Sequence, residues 1–398
     1  MTTIPRAAHA RSHGLRVALA LACLAALAGC TTIKGWFGGK TSDALKPAAL
    51  TDFTPSATAQ RLWTVDLGGG EGAIGSRQGP AIAEGRVYAA SLEGGISAID
   101  LQSGNRLWHF ETELPLSSGP GVGEGLVVAG SLEGDVVAVD AATGAQRWTA
   151  KVGNEVLAAP TVGQGYVLVR SIDGRVTAFS ADSGERRWFW ERETPTLSVR
   201  GNGSPLLGPG IVFVGNDDGT LAALALADGR LLWEQTVAAA EGRTELDRMA
   251  DVDGAPVLDG ITLFATSYKK KTIAIDGPSG RPMWSHDAGG PGRPAVSVDK
   301  VVVSDAAGTV WGLDKATGTA MWQQAALARR NVTAPAIQGD YAVVGDYDGY
   351  LHWLRLSDGA FAARARFDEA IRAAPVVADG IAVVQDIDGG LSAWRISN

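Results

Sequence analysis

One unit of about forty residues recurs eight times along this chain, and that repetition limits the fold more than any other feature. A proline stands at positions 80, 120, 160, 205, 256, 294, 335 and 375, at intervals of 40, 40, 45, 51, 38, 41 and 40 residues. A turn glycine keeps the same offsets at Gly94, Gly134, Gly174, Gly219, Gly308, Gly349 and Gly389, with Lys270 in the fifth copy. A third frame sets Gly four residues before Trp, from Gly104/Trp108 through Gly144/Trp148, Gly184/Trp188, Gly229/Trp233 and Gly280/Trp284 to Gly318/Trp322. The seventh copy keeps Gly359 but has Ala363 where the Trp would stand. Three frames sharing one period define a repeat architecture rather than a chain of separate domains.

Each copy reads as four short strands. In the third, Ala159–Val162, Tyr166–Ser171, Arg175–Ser180 and Glu185–Glu191 are separated by turns rich in Gly, Asp and Ser. Gly supplies positive φ at such turns, and Asp or Ser binds the local backbone N–H groups. Four short strands per forty residues is the sequence sign of a propeller blade. The eighth copy reaches Asn398 before its fourth strand, while Arg61–Val65 reads like the missing one. We therefore expect an all-β fold: an eight-bladed β-propeller of four-stranded blades, its ring closed by the N-terminal strand. Closure of that kind removes free sheet edges between first and last blade. The repeated Trp is expected to pack between blades and to carry no chemistry.

The N-terminus reads as an address. Residues 1–29 contain Arg6, Arg11 and Arg16 and no acid, and Val17 to Ala28 is an apolar run too short to span a bilayer. The run ends in Leu27-Ala28-Gly29-Cys30, which resembles a bacterial lipoprotein signal with Cys30 as the lipid acceptor. Cleavage before Cys30 takes the net charge from −8 to −11. Acyl chains at Cys30 suffice for stable anchoring. Thr31, rather than Asp, follows the Cys, which by analogy with such lipoproteins points to the outer membrane on its periplasmic face. The expected organisation is a signal peptide over 1–29, lipidated Cys30 with a tether to residue 58, and the propeller over 59–398.

The repeat stretches in two places. From the Trp position to the next Pro the interval is 12, 12, 17, 23, 10, 13 and 12 residues for copies one to seven. Residues 189–204 and 234–255 are therefore long connections from an outer strand to the next inner strand. Because strands alternate in direction, both lie on one face of the ring. Leu197 and Val199 beside Arg200, with Asp251 and Asp253 nearby, suit a protein–protein docking patch of apolar and Arg anchors ringed by charge. The same Arg and Asp residues could instead pair with one another and brace the loops.

The unit Ala-x-Asp-x-x-(Thr/Ser)-Gly-x-x-x-Trp, complete in Ala138–Trp148 and Ala98–Trp108, is similar to the repeat of quinoprotein-type eight-bladed propellers. Within that group the chain most resembles the BamB-type outer-membrane protein assembly factors. The resemblance covers the lipid signal, the tether and all eight repeats. Local matches outside the repeat consensus are Leu197–Gly201, Thr244–Arg248, Asp251–Asp253 and Gly349–Trp353. It implies a scaffold lipoprotein whose positions Leu197, Val199, Arg200, Asp251 and Asp253 contact periplasmic domains of the barrel-assembly protein BamA. Nascent outer-membrane proteins are the further partners such a scaffold would meet; pairing of their strands with blade edges is a separate idea that no residue of the sequence specifically supports.

Other chemistry is not visible. Both cysteines, Cys23 and Cys30, precede the repeats, so no Cys-based metal site or disulfide framework can form in the body. His109, His286 and His352 have no spacing that brings them together. Asp251-Val252-Asp253-Gly254, Asp346–Gly349 and Asp386–Gly389 look like calcium loops, but none continues to the Glu that closes an EF-hand, and the last two sit at the repeating turn. The acidic balance gives no footprint for nucleic acid. We assign no catalytic residue, no metal and no cofactor. A quinone-dependent dehydrogenase and a glycan-binding propeller are the competing readings.

Overall fold

A computed structural model of the chain describes residues 3, 46–70, 77–199 and 203–397. Cys30 and Arg200 lie outside the described residues. The described strands form eight four-stranded antiparallel sheets. In seven of them the four strands are consecutive. The third blade, for example, is Thr161–Gly163, Tyr166–Arg170, Val176–Ser180 and Arg186–Trp190. The eighth takes Val376–Ala378, Ile381–Gln385 and Gly390–Ser397 from one end of the chain and Thr58–Asp66 from the other. Its closing register runs from Thr58 opposite Ser397 to Asp66 opposite Gly390, with a bulge between Arg61 and Trp63. The eight-bladed propeller expected from the repeats is the fold observed.

Stacking of blades decides which residues are apolar. Middle strands are covered on both faces, so Leu126–Gly130 and its neighbour Asp135–Asp140 carry unbroken apolar runs, with Val127, Val128 and Val136 to Val139 fully buried. Outer strands have one covered face and alternate. In Gln146–Lys151 only Trp148 is buried.

The Gly-x-x-x-Trp spacing acquires its cause here. Each Trp serves the following blade, not its own glycine. Trp148 Nε1 donates to Ala181 O at 2.7 Å, and its ring lies against Gly184 of the next blade, where a Cβ would sit 2.6 Å from the ring. Trp188 repeats the arrangement with Leu226 O and Gly229, and Trp63 of the N-terminal strand with Leu101 O and Gly104. Ala363 breaks the Trp frame because the eighth blade has no turn between its third and fourth strands; those strands are the two ends of the chain. Trp353 and Trp394 fill that interface instead, 6.2 Å apart, with Trp353 Nε1 donating to Gln338 Oε1 at 2.7 Å.

The Asp of the repeat is a turn staple. Asp140 Oδ1 accepts from the Thr143 N–H and Oγ1–H, and Asp100 and Asp314 do the same with Ser103 and Thr317. These hydroxyl and backbone bonds hold the carboxyls below the usual range.

Residues 48–57, inside the segment expected as a tether, are laid along the seventh blade. The Ala48 N–H donates to Ala328 O at 2.9 Å, and the N–H groups of Ser56 and Ala57 reach Ala362 O. Phe53 stacks on Phe361 at 5.4 Å, with the Arg364 guanidinium over its ring. Arg364 Nη1 donates to Thr51 O, and Arg330 Nη1 to Ala48 O, both at 3.0 Å. Behind this strap lies a buried polar chain. Arg364 Nε donates to His352 Nδ1 at 3.1 Å, His352 Nε2 meets Asp346 Oδ2 at 2.9 Å, and Arg330 Nε reaches the same oxygen at 2.6 Å. A guanidinium donor at Nδ1 fixes the imidazole as the Nε2–H tautomer. Burial, opposed by the Asp346 bond, holds its pKa below the ordinary value.

Candidate functional site

The two stretched connections run from Arg186–Trp190 to Leu206–Gly208, and from Leu231–Thr236 to Val257–Asp259. Both share a face with the second-to-third-strand turns, as the alternation of strands requires. Their bases are fastened by charge: Arg192 binds Asp218 and Glu234 together. The second connection carries one helical turn, Glu245–Arg248, closed by a capping box in which the Asp247 N–H donates to Thr244 Oγ1 and the Thr244 N–H to Asp247 Oδ2. Thr244–Arg248, singled out in the sequence, is thus a helix start. Its Leu246 is 65% exposed.

The lysine run of the fifth blade is mostly engaged. Lys269 Nζ donates to the carbonyls of Ala239 and Glu241, tying down the second connection, and Lys271 pairs with Asp287. Lys270 takes the turn position with a φ of 58°.

The five residues read as a docking patch separate by depth. Leu197 is 43% exposed and Val199 half-buried. Asp251 and Asp253 lie beneath them, 0% and 7% exposed. Asp251 Oδ1 accepts the Val199 N–H at 2.8 Å, so it pins the loop that presents Leu197. The Asp251 backbone is held too, since its carbonyl accepts from Tyr268 N–H, while Val252 N–H reaches Asn216 O. The two aspartates therefore brace from below rather than present charge at the surface.

Two further residues complete this underlayer and were not foreseen. Asp217, in the fourth blade's turn, places a carboxylate oxygen within 4.8 Å of oxygens of Asp251 and Asp253. Arg170, at the end of a second strand and 1% exposed, puts Nη2 3.0 Å from Asp217 Oδ1. Arg170 thus acts on all three carboxylates, and Arg77 acts on Asp253 as well. Burial pushes the Asp251 carboxyl up to about 6. It raises Asp253 further, with Asp251 and Asp217 adding repulsion, and raises Asp217 against the pull of Arg170.

A signal for both lay in the repeat. Four residues before the turn glycine, the copies have Ala90, Gly130, Arg170, Gly215, Thr266, Ser304, Gly345 and Gln385. Two before it they have Leu92, Leu132, Ile172, Asp217, Tyr268, Ala306, Tyr347 and Ile387. In each column one charged residue stands among neutral ones, and those two residues form the buried pair.

The chain matches the family model of the outer membrane protein assembly factor BamB over residues 50–112, 92–324 and 314–398. It is 59% identical over 396 residues to the outer membrane protein assembly factor BamB of Xanthomonas campestris pv. campestris, covering 96% of this chain and 98% of that protein. It is 44% identical over 385 residues to the Pseudomonas aeruginosa protein of the same name, covering 96% and 98%. Among solved structures, BamB from Moraxella catarrhalis superposes with a TM-score of 0.78 at 27% identity, covering 85% of this chain and 100% of that one. The quinohemoprotein alcohol dehydrogenase of Comamonas testosteroni reaches 0.68 at 14% identity over 87% of this chain and 78% of its own, a likeness of fold alone.

Proposed function

Since the chain belongs to the outer membrane protein assembly factor BamB family, we propose that it is a non-enzymatic scaffold of outer-membrane protein assembly whose working surface is the face of the stretched loops. It acts at the outer membrane. The finer reading is a lipid anchor at Cys30 on the periplasmic side, and docking on periplasmic domains of a BamA-type barrel-assembly protein. Nascent outer-membrane proteins are the clients that this docking would serve.

The observation that carries the docking surface is the held exposure of Leu197. Loop residues need no apolar side chain for folding, yet this one is exposed on a backbone fixed two residues later by the Val199–Asp251 bond. A preorganised apolar anchor costs little entropy on binding. Arg200, next in sequence, is read as the charged anchor beside it. The mechanism is binding energy alone: one rigid partner holding the domains of another.

The test is affinity purification of the lipidated protein from detergent-solubilised outer membranes, wild type beside Arg200→Glu and Leu197→Glu. Recovery of a large barrel protein with wild type only is expected. Recovery with both variants, each shown to be folded, refutes docking through this face. Absence of a barrel protein even with wild type refutes the partner.

A further inference from the structure

The acid cluster beneath the docking loops is more than a brace requires. The buried turn aspartate of the seventh blade is saturated by its own surroundings. Asp346 accepts from the N–H groups of Asp348 and Tyr350, from Arg330 and from His352. Among the described residues, the buried carboxylate oxygens that no protein donor reaches are Asp251 Oδ2, Asp253 Oδ1 and Asp253 Oδ2, all in one cluster. An ionised carboxylate held that way is costly, and buried polar atoms in folded proteins almost always find a partner.

We propose that Asp217, Asp251 and Asp253 bind a divalent cation of the calcium or magnesium class. Geometry is the first argument. Oxygens sharing one Ca²⁺ lie about 2.3–2.6 Å from it, and so no more than about 5 Å from each other. The three carboxylates offer oxygens all within 4.8 Å of one another. Charge is the second. Three carboxylates outnumber the two cations that act on them, Arg170 paired with Asp217 and Arg77 acting on Asp253, so the cluster keeps acid in excess for a cation to meet. Donor type is the third, because an all-carboxylate set favours hard cations over zinc or copper. In the sequence, Asp251-Val252-Asp253-Gly254 lacks the Glu that closes an EF-hand. In the fold the third carboxylate comes instead from Asp217, in the turn of the preceding blade.

The consequence for docking rests on the function proposed above, whereas cation binding itself does not. Asp217 belongs to the fourth blade and Asp251 to the second stretched connection, and Asp251 also holds Val199 of the first. An ion shared by these acids joins the two loops to the ring and sets the position of Leu197.

The experiment is titration calorimetry of calcium chloride, and separately of magnesium chloride, into the purified full-length lipoprotein after dialysis against a chelator. We expect one ion per chain, and affinity weakened by on the order of 100-fold or more in Asp253→Asn, with no change in the exposed control Asp358→Asn. Hydrogen exchange on wild type supplies a readout free of any folding defect in the variant: calcium should increase protection of the Val199 amide. No binding up to millimolar concentration, binding unaltered by Asp253→Asn, or protection that ignores calcium each overturns the site. Recovery of the barrel partner is scored separately, so loss of the ion site and loss of the docking reading are distinguishable.

Discussion

Two aspartates at equivalent turn positions of neighbouring blades should respond to the same substitution with opposite signs. Asp346 and Asp386 each accept turn N–H bonds through Oδ1 and are 0% and 6% exposed. Asp346 also faces His352 and Arg330. Burial alone would raise its carboxyl, but those partners bring it below the usual range. Among the described residues, no cation is bonded to Asp386. Burial, with Asp388 and Asp368 adding repulsion, pushes it up to about 6 from 3.8. Arg372 lines the same small pocket but bonds to the Tyr347 hydroxyl. A folded-state pKa above the unfolded one means that the folded state prefers the protonated acid. Stability from this group is full below pH 4, falls as pH rises toward 6, and above that carries a constant penalty. At about 1.36 kcal/mol per unit the penalty is about 3 kcal/mol. Asp386→Asn keeps the acceptor oxygen and removes the charge, so it should stabilise by about 1–3 kcal/mol at pH 7.5 and by nothing near pH 4. Asp346→Asn leaves Arg330 and His352 short of their partner and should destabilise by about 3 kcal/mol at pH 7.5. Its contribution is lost only as pH falls through the depressed pKa. Thermal unfolding of the three proteins at pH 7.5 and 4.5 should show shifts of a few degrees, upward for Asp386→Asn and downward for Asp346→Asn. A drop in Tm for Asp386→Asn at pH 7.5, or a gain unchanged at pH 4.5, refutes the electrostatic reasoning.

Two further outcomes follow from the same geometry. Gly184→Ala places a methyl 2.6 Å from the Trp148 ring at a φ of 70°, whereas Gly165→Ala at a φ of 79° meets nothing within 4 Å; the first should cost more than about 3 kcal/mol and the second about 1 kcal/mol, read as separate unfolding midpoints. Arg364→Ala removes the donor to Thr51 O, the stack on Phe53 and the His352 bond, so limited proteolysis should cut within residues 48–57 at least tenfold faster while the ring stays intact, and an unchanged rate would show that the strap does not depend on this clasp.

The blades were legible because every copy solves one packing problem. A Trp, the next blade's glycine and an Asx turn recur wherever two blades meet, so eight copies amplify each signal. What was illegible occurs once. The strap over 48–57 draws on Ala, Thr, Asp, Ser, Pro, one Leu and one Phe, a composition that reads as linker, and its partners Arg330 and Arg364 lie about three hundred residues away. His352 stood out as a departure from the repeat, but its role depends on Arg364 across the strand pair. The face of the stretched loops was legible as an excess of chain length. Depth was not, because an Asp in a long loop reads as solvated until a neighbouring blade is seen to cover it. Arg170 and Asp217 show how such residues can be found: align the copies, and look for charge in columns where the other copies have none.

The strap also bears on how a lipid at Cys30 would place the ring. Ala48 is bonded in the connection between the sixth and seventh blades, which shares its face with the stretched loops. For an anchor at Cys30, the span that sets reach therefore ends at Ala48 rather than at Thr58, where the first strand begins. Eighteen residues cannot exceed about 65 Å fully extended, against about 100 Å for twenty-eight. For such an anchor the strap would remove roughly a third of the maximum reach, with the span starting on the face of the stretched loops. The charged clasp and the acid cluster thus act on one geometric quantity from opposite sides of the ring. With a lipid at Cys30, the clasp would fix where the span to it leaves that face, and Asp251 holds the loop that presents Leu197 on it. A scaffold that works through binding energy alone gains from both, because each removes freedom that docking would otherwise have to remove.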